Sequence, residues 1–343
     1  MDSLTHIALG ACIGEAFAGK QLGKRAMFLG AVAQSLPDID FLASFWMNTS
    51  DNLLAHRGFT HSFLFILLAA PLLGLIAERW HRPHNISLLK WTLFFGVNAL
   101  IHLLIDGMNS YGVGWFEPFS HVRISYNWIF VADPLYSVWL AIAFIMLLVL
   151  KRTSKRRLFW VKFGIGLSLL YLVFCGFNKW QINSNVRRSL AEQHINYKNY
   201  FSTPTAFNNL LWYIVAITDS GYYIGYRSVF DGNRKLELNY FPRKENLLAP
   251  VKGHEDLQKL LRFSQGYYTV RRDEDVLVFN DLRFGQVAGW EDPNAPFAFY
   301  YYLEKPSKNR LVVQRGRFKW ISGASLRSLF QRIAGKDHSS LLK

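Results

Sequence analysis

Cysteine is almost missing from this chain of 343 residues: Cys12 and Cys175 stand far apart, each inside an apolar run. That excludes a disulfide framework or a thiolate metal site and leaves two packed thiols. Acidic side chains are also scarce, 24 against 39 Lys and Arg, for a net charge of +15. Beside 51% hydrophobic and 16% aromatic residues, this imbalance fits a membrane protein with a basic soluble part. No nucleic-acid partner is expected, because topology loops and an envelope-facing domain account for much of the positive charge. The first apolar stretch, MDSLTHIALGACIGEAFAGK, has no basic run ahead of it and carries Asp2. A cleaved signal peptide is therefore not expected, and the first helix stays with the protein. Internal repeats and low-complexity tracts are lacking as well.

The apolar residues are concentrated before about residue 178. Six apolar segments fall at roughly 4–19, 26–46, 62–77, 88–105, 134–150 and 158–177. Gly10 and Gly14 lie four apart in the first, a spacing that permits close helix packing. Basic residues cluster in three connections: Lys20, Lys24 and Arg25; Arg79, Arg82 and Lys90; and KRTSKRR at 151–157. The positive-inside rule puts all three in the cytoplasm. The opposite ends, which hold the candidate ligands, then lie outside, joined there by a long aromatic-rich loop over 107–132.

After Phe177 the pattern changes to β-rich runs: LLWYIVAITD, YYIGYRSVF, LELNYF, YYTVRRDEDVLVFND, FAFYYYLE and RLVVQRGRF, with a helix over 253–263. The expected architecture is an α-helical integral membrane bundle of about six apolar helices over 1–178. A soluble α+β domain, mainly antiparallel β, follows over 179–343. With six spans it lies on the outer side, the periplasm of a double-membraned cell.

The chemistry-bearing residues sit where ionisable groups are costly. Asn98, His102 and Asp106 recur at i, i+4 and i+8, so one helix face stacks them inside LFFGVNALIHLLID. Pro37-Asp38-Ile39-Asp40 offers two carboxylates, although proline followed by aspartate is also ordinary turn chemistry. His56-Arg57-Gly58-Phe59-Thr60-His61-Ser62 offers two imidazoles. Gly58 is the expected turn residue and Thr60 or Ser62 the cap of the next helix. His6 lies near the start of the first helix. Asp133 precedes Pro134, so N-capping rivals metal binding there. Glu117 and His121 stand in the outer loop. His81, His84, His194, His254 and His338 read as surface residues.

His6, Asp38, Asp40, His56, His61, His102 and Asp106 give four imidazoles and three carboxylates. Such a set suits Zn²⁺, or Mn²⁺ or Fe, and exceeds what one tetrahedral zinc takes. The economical expectation is a two-ion hydrolytic site, in which paired cations activate water and stabilise the attacking and leaving oxygens of a phosphoester. Asp38 or Asp40 would serve as ligand or base, and Arg57 would hold a phosphate oxygen. Membrane lipids are the expected partners and a lipid or lipid-linked phosphate the expected substrate, since the cluster falls at headgroup depth. A non-enzymatic metal-binding scaffold or sensor stays open as an alternative. Metal transport has less support, because Glu15 and Asn98 are the few polar groups toward the midplane.

Residues 1–140 resemble the YdjM-like family of membrane-bound metal-dependent hydrolases. The resemblance rests on THIALG with His6, LPDID with Asp38 and Asp40, HRGFTHS with His56 and His61, and HLLIDGMNSYG with His102 and Asp106. It implies an integral inner-membrane protein with a metal-dependent hydrolytic site. The LLWYIVAITD region is similar to the soluble extension of longer members. The ordered His and Asp set is more distantly similar to zinc-dependent phospholipase C, which uses an N-terminal tryptophan as a ligand where this chain has Met1.

Overall fold

A computed structural model of the chain describes residues 1–81, 85–273, 276–304 and 323–336. The expected strand at RLVVQRGRF and the histidines His84 and His338 lie outside them. The chain divides into two compact units, one of Met1–Phe45 with Ala55–Cys175, the other of Trp46–Leu54 with the residues from Gly176 onward.

The first unit is helical. Helix α1 (Ser3–Leu22) begins at Asp2, whose carboxylate accepts from the Thr5 N–H at 3.0 Å, and ends at Gly23, where φ is +60°. That left-handed turn reverses the chain into α2 (Lys24–Gln34). The two helices meet backbone to backbone: a Cβ on Gly10 or Gly14 would overlap the carbonyl of Gly30 or Ala26. The apolar segment expected over 26–46 is not one helix. Pro37 has no N–H to donate and pushes Leu36 out of helical geometry, so α2 stops at Gln34 and a 3-10 segment runs over Pro37–Phe45. This break brings the carboxylates of 38 and 40 to the site.

A short helix α3 (Thr49–Ala55) leads to the HRGFTHS block and then to α4 (Phe63–Trp80), capped by Ser62, which accepts from Phe65 N at 3.0 Å. Helix α5 (Leu88–Asp106) packs against α4 and returns to the same end of the unit. Trp91, Phe94 and Phe95 of α5 fill a core with Ala18, Leu22 and Ala26 of the first hairpin. Helix α6 (Pro134–Val149) and helix α7 (Arg156–Glu192) complete the set. Among the described residues three helices, α4, α5 and α7, are long and apolar enough to cross a membrane, while α6 is apolar but only 16 residues long.

At the end of the bundle opposite Asp106, Glu15 of α1 meets the buried Arg157 of α7. Two guanidinium nitrogens of Arg157 each lie 2.7 Å from a different Glu15 carboxylate oxygen, and a third donates to the carbonyls of Leu147 and Leu150. This closed ion pair accounts for an acidic residue inside an apolar helix.

The second unit holds the antiparallel sheets. Strands β1 (Asn199–Pro204), β2 (Leu211–Ile217), β3 (Gly221–Ser228) and β4 (Leu238–Pro242) form a four-stranded meander. Trp212, Ile214 and Ala216 on one face of β2 pack against Ile182, Val186 and Leu190 of α7. A second sheet of β5 (Tyr268–Asp273), β6 (Val276–Asp281) and β7 (Tyr300–Tyr302) is covered by α8 (Glu255–Phe263), which buries Leu257, Leu260 and Phe263. A final helix α9 spans Gly323–Ile333.

Candidate metal centre

Four potential ligands converge in the helical unit: Asp38, His61, His102 and Asp106, with one ligand atom from each lying within 4.8 Å of all the others. His61, His102 and Asp106 are fully buried, whereas the Asp38 side chain keeps 21% of its surface open.

The hydrogen bonds outside the cluster fix which nitrogen of each imidazole faces in. His102 Nδ1 is 2.6 Å from the carbonyl oxygen of Gln34, which can only accept, so the proton resides on Nδ1. His61 Nδ1 is likewise 3.2 Å from Asp40 Oδ2. Both Nε2 atoms are then bare acceptors, yet they stand 3.1 Å apart. Asp38 Oδ1 lies 3.5 Å from one and 3.6 Å from the other. Asp106 Oδ2 is 3.7 Å from His61 Nε2 and 3.6 Å from His102 Nε2, is buried, and has the Arg57 guanidinium Nε 3.0 Å away on its other side as a cationic neighbour. The two Nε2 atoms and Asp38 Oδ1 face one another with no donor between them, and they repel unless a cation lies among them. The donor set, two imidazole nitrogens and two carboxylate oxygens, fits a divalent metal.

The two aspartates of LPDID do different work. In a 3-10 segment with three residues per turn, side chains two apart diverge. Asp38 faces His61 Nε2, and Asp40 holds the opposite nitrogen of the same ring. Asp40 also accepts from Arg57 N at 2.7 Å and Thr60 Oγ1 at 3.2 Å, and lies 3.1 Å from His56 Nδ1. Burial alone would raise the pKa of Asp40, but its hydrogen bonds to His56 and His61 hold it well below the usual carboxylate range. Asp40 and His56 are thus supports behind His61, and neither joins the group of four.

The expected turn at Gly58 is made one residue earlier. Gly58 has φ of −88°, whereas Arg57 takes +58°. The cost of about 1–2 kcal/mol for a non-glycine there is offset by fixed partners on both sides. Its N–H is held by Asp40. Its guanidinium is buried, with Nε 3.0 Å from Asp106 Oδ2 as an ion pair, Nη1 donating to Asn109 Oδ1 at 2.8 Å, and the ring of Tyr111 5.0 Å away. Burial pushes the Arg57 pKa down to about 10. The guanidinium expected to hold a phosphate is instead committed to Asp106.

His6 also stands one step behind the cluster. Its ring stacks on His102 with centroids 3.8 Å apart, and its Nε2 is 3.2 Å from the other oxygen of Asp106. The buried Met1 amino nitrogen contacts that same Oδ1. Asp133 is not brought to the cluster. It caps α6, accepting from Leu135 N at 2.9 Å, and takes a bond from Tyr171 Oη at 2.9 Å on its second oxygen. Glu117 and His121 pair with each other at 2.8 Å. Asn98 turns back to the carbonyl of Phe94 at 2.8 Å.

Sequence reasoning missed Gln34, Asn109 and Tyr111. Gln34 is a fully buried amide at the end of an apolar segment, a signal that was available. Asn109 is positioned by the loop after α5, where Tyr126 N donates to Gly107 O at 2.8 Å and Ser125 Oγ to Asn109 O at 2.6 Å. Nothing in the order of residues announces that fold-back.

The family model described as YdjM inner membrane protein matches residues 1–182. The chain is 35% identical to the inner membrane protein YbcI of Escherichia coli (strain K12) over 127 residues, 36% of this chain and 72% of that one. It is 23% identical over 301 residues to the uncharacterized protein YfhP of Bacillus subtilis (strain 168), covering 83% of this chain and 87% of that protein. No solved structure matches the chain.

Proposed function

The chain belongs to the YdjM inner membrane protein family, and on that premise we propose that it is a multi-pass membrane hydrolase that uses a divalent metal to cleave a phosphoester of a lipid or lipid-linked substrate. The observation that carries this reading is the convergence of Asp38, His61, His102 and Asp106, with one ligand atom of each within 4.8 Å of the others and the two imidazole Nε2 atoms turned toward each other. Zn²⁺ suits the mixed nitrogen and oxygen donors, with Mn²⁺ or Fe as the other candidates. A cation held there would supply Lewis-acid polarisation of a phosphoryl oxygen and activation of water.

The protein's own groups have separable roles. Asp40 and the Gln34 carbonyl hold the two imidazoles with Nε2 inward. Arg57 and His6 each engage one oxygen of Asp106, which fixes the plane of its carboxylate. Asp38 is the ligand with an open side, so substrate and water approach past it, and its free oxygen is the candidate proton acceptor. A second cation, if bound, would need donors beside the four ligand atoms, and His6 Nε2 and the second oxygen of Asp106, 3.2 Å apart, stand next to them.

The surroundings support a lipid as the substrate class. Ile39, Phe41 and Phe59, neighbours of the ligands in sequence, expose 47%, 57% and 46% of their surface. Such apolar groups beside a polar cluster suit the membrane interface better than bulk water. The six helices α1, α2 and α4 to α7 would cross or enter the membrane, with the basic connections inside and the cluster outside. The sheet-bearing unit would then be periplasmic, or extracytoplasmic in a cell with one membrane. Detergent-purified protein assayed against a broad panel of phospholipids and lipid-linked phosphates tests the reading. Chelator-sensitive release of phosphate or headgroup that Asp38→Asn and Asp106→Ala abolish is expected. Turnover unchanged in Asp106→Ala would reject the site.

A further inference from the structure

A concave site lies at the other end of the helices that carry the metal cluster. It has a volume of about 760 Å³ and is lined by Lys20, Lys90, Arg152, Lys155 and Arg157, with Glu15 as its one carboxylate. Glu15 is already bound to two nitrogens of Arg157, which leaves the other four cations without an acidic partner among the lining residues. The pocket is separate from the metal cluster. Lys20 is fourteen residues beyond His6 on α1 and Lys90 sixteen before Asp106 on α5, so each helix separates the two sites by about 21–24 Å.

The pocket is held in shape by bonds that do not consume its charge. Arg152 Nη2 donates to the carbonyls of Lys20 at 3.1 Å and Gln21 at 2.8 Å, closing the C-terminal end of α1. Lys90 Nζ lies 6.0 Å from the centroid of the Phe17 ring. Thr153 and Ser154 add hydroxyl donors, and Phe17 and Leu158 supply an apolar wall.

We propose that this pocket binds the phosphate of an anionic phospholipid headgroup. A cationic cavity of this size with donors on its rim takes a phosphate, and two features select a lipid over a free anion. Lys90 stands in the first turn of α5 and Leu158 in the first turn of α7, both apolar helices long enough to span a membrane, so the cavity opens at headgroup depth. The wall of Phe17 and Leu158 continues from the charged rim, where a glycerol backbone and the start of an acyl chain would lie. The site would select acidic lipids of the cytoplasmic leaflet, independently of whether the metal cluster is catalytic.

Native mass spectrometry of the full chain in detergent tests this, with cardiolipin, phosphatidylglycerol or phosphatidylcholine added at equal concentration. One anionic lipid is expected to be retained in preference to phosphatidylcholine, and the preference to fall about fivefold for each lysine neutralised. In the triple variant Lys20→Gln, Lys90→Gln and Lys155→Gln the loss is on the order of a hundredfold. Lys155→Gln alone gives the smaller loss should the triple variant misfold, and Lys162→Gln, outside the pocket, leaves retention unchanged. Wild-type lipid preference in the triple or single pocket variant would overturn the proposal. So would displacement of the bound lipid by millimolar inorganic phosphate, which would make this a site for the free ion.

Discussion

Replacing Asp40 with asparagine changes one atom and separates a supporting carboxylate from a ligand. Asp40 Oδ2 accepts from Arg57 N at 2.7 Å and Thr60 Oγ1 at 3.2 Å and faces His61 Nδ1 at 3.2 Å, while Oδ1 faces His56 Nδ1 at 3.1 Å. An asparagine oxygen in the place of Oδ2 keeps Arg57 N–H, Thr60 and His61 Nδ1 together, but as a neutral and weaker acceptor, and its NH₂ group faces His56 Nδ1. His61 then holds its proton on Nδ1 less firmly, and the tautomer protonated on Nε2, the nitrogen that faces the cluster, is not a ligand. Loss of such an outer support costs about 10–100-fold in metal affinity, or about 1.4–2.7 kcal/mol. The expected outcome for Asp40→Asn is a folded protein that fills to wild-type stoichiometry at high metal but loses it to a competing chelator at 10–100-fold lower chelator activity. Titration of purified wild type and variant against a fluorescent zinc chelator measures this directly. Wild-type affinity in Asp40→Asn would refute the assignment of Asp40 as the support of His61.

Arg57→Ala strips a buried ion-pair partner from Asp106 and a donor from Asn109, and should destabilise the protein by about 3–5 kcal/mol, read as a lowered midpoint in thermal unfolding. Asp133→Ala removes an N-cap and should cost about 0.5–2 kcal/mol with metal content intact; lost metal would return Asp133 to the ligand set. Gly30→Val places a side chain against the Gly10 carbonyl and should split the α1 and α2 hairpin, seen as loss of folded protein in detergent, whereas Gly166→Ala, which meets nothing within 4 Å, is tolerated. A reporter fused after the final helix should be active only in its extracytoplasmic form; cytoplasmic activity would overturn the proposed orientation.

The helical first part and the antiparallel second part were legible in the sequence because they differ in period, long apolar runs giving way to short β-rich ones. Buried ionisable residues announced themselves in the same way: His102 and Asp106 are conspicuous inside LFFGVNALIHLLID because nothing else there is charged. The division of labour within the cluster was not legible. Asp38 and Asp40 look equivalent until Pro37 ends α2 and a 3-10 turn sends them to opposite nitrogens of His61. Arg57 looked free to hold a substrate, since its ion pair with Asp106 spans 49 positions of sequence. Strand β1, NYFSTP, lacks alternation and was not expected; it is specified by pairing with β2, with Ser202 opposite Ile214. Helix α7 runs on to Glu192 through QINSNVRRSLAE because Ile182, Val186 and Leu190 recur at helical spacing and cover β2.

The central claim is that Asp38, His61, His102 and Asp106 hold a metal, and its most direct test is elemental analysis of the full chain purified in detergent from metal-replete, chelator-free medium. Wild type is measured beside His102→Ala and Asp106→Ala, each first confirmed to be folded. The account predicts at least one equivalent of Zn, Mn or Fe in wild type and its loss in both variants. Metal-free wild type, or metal retained in both variants, would contradict it.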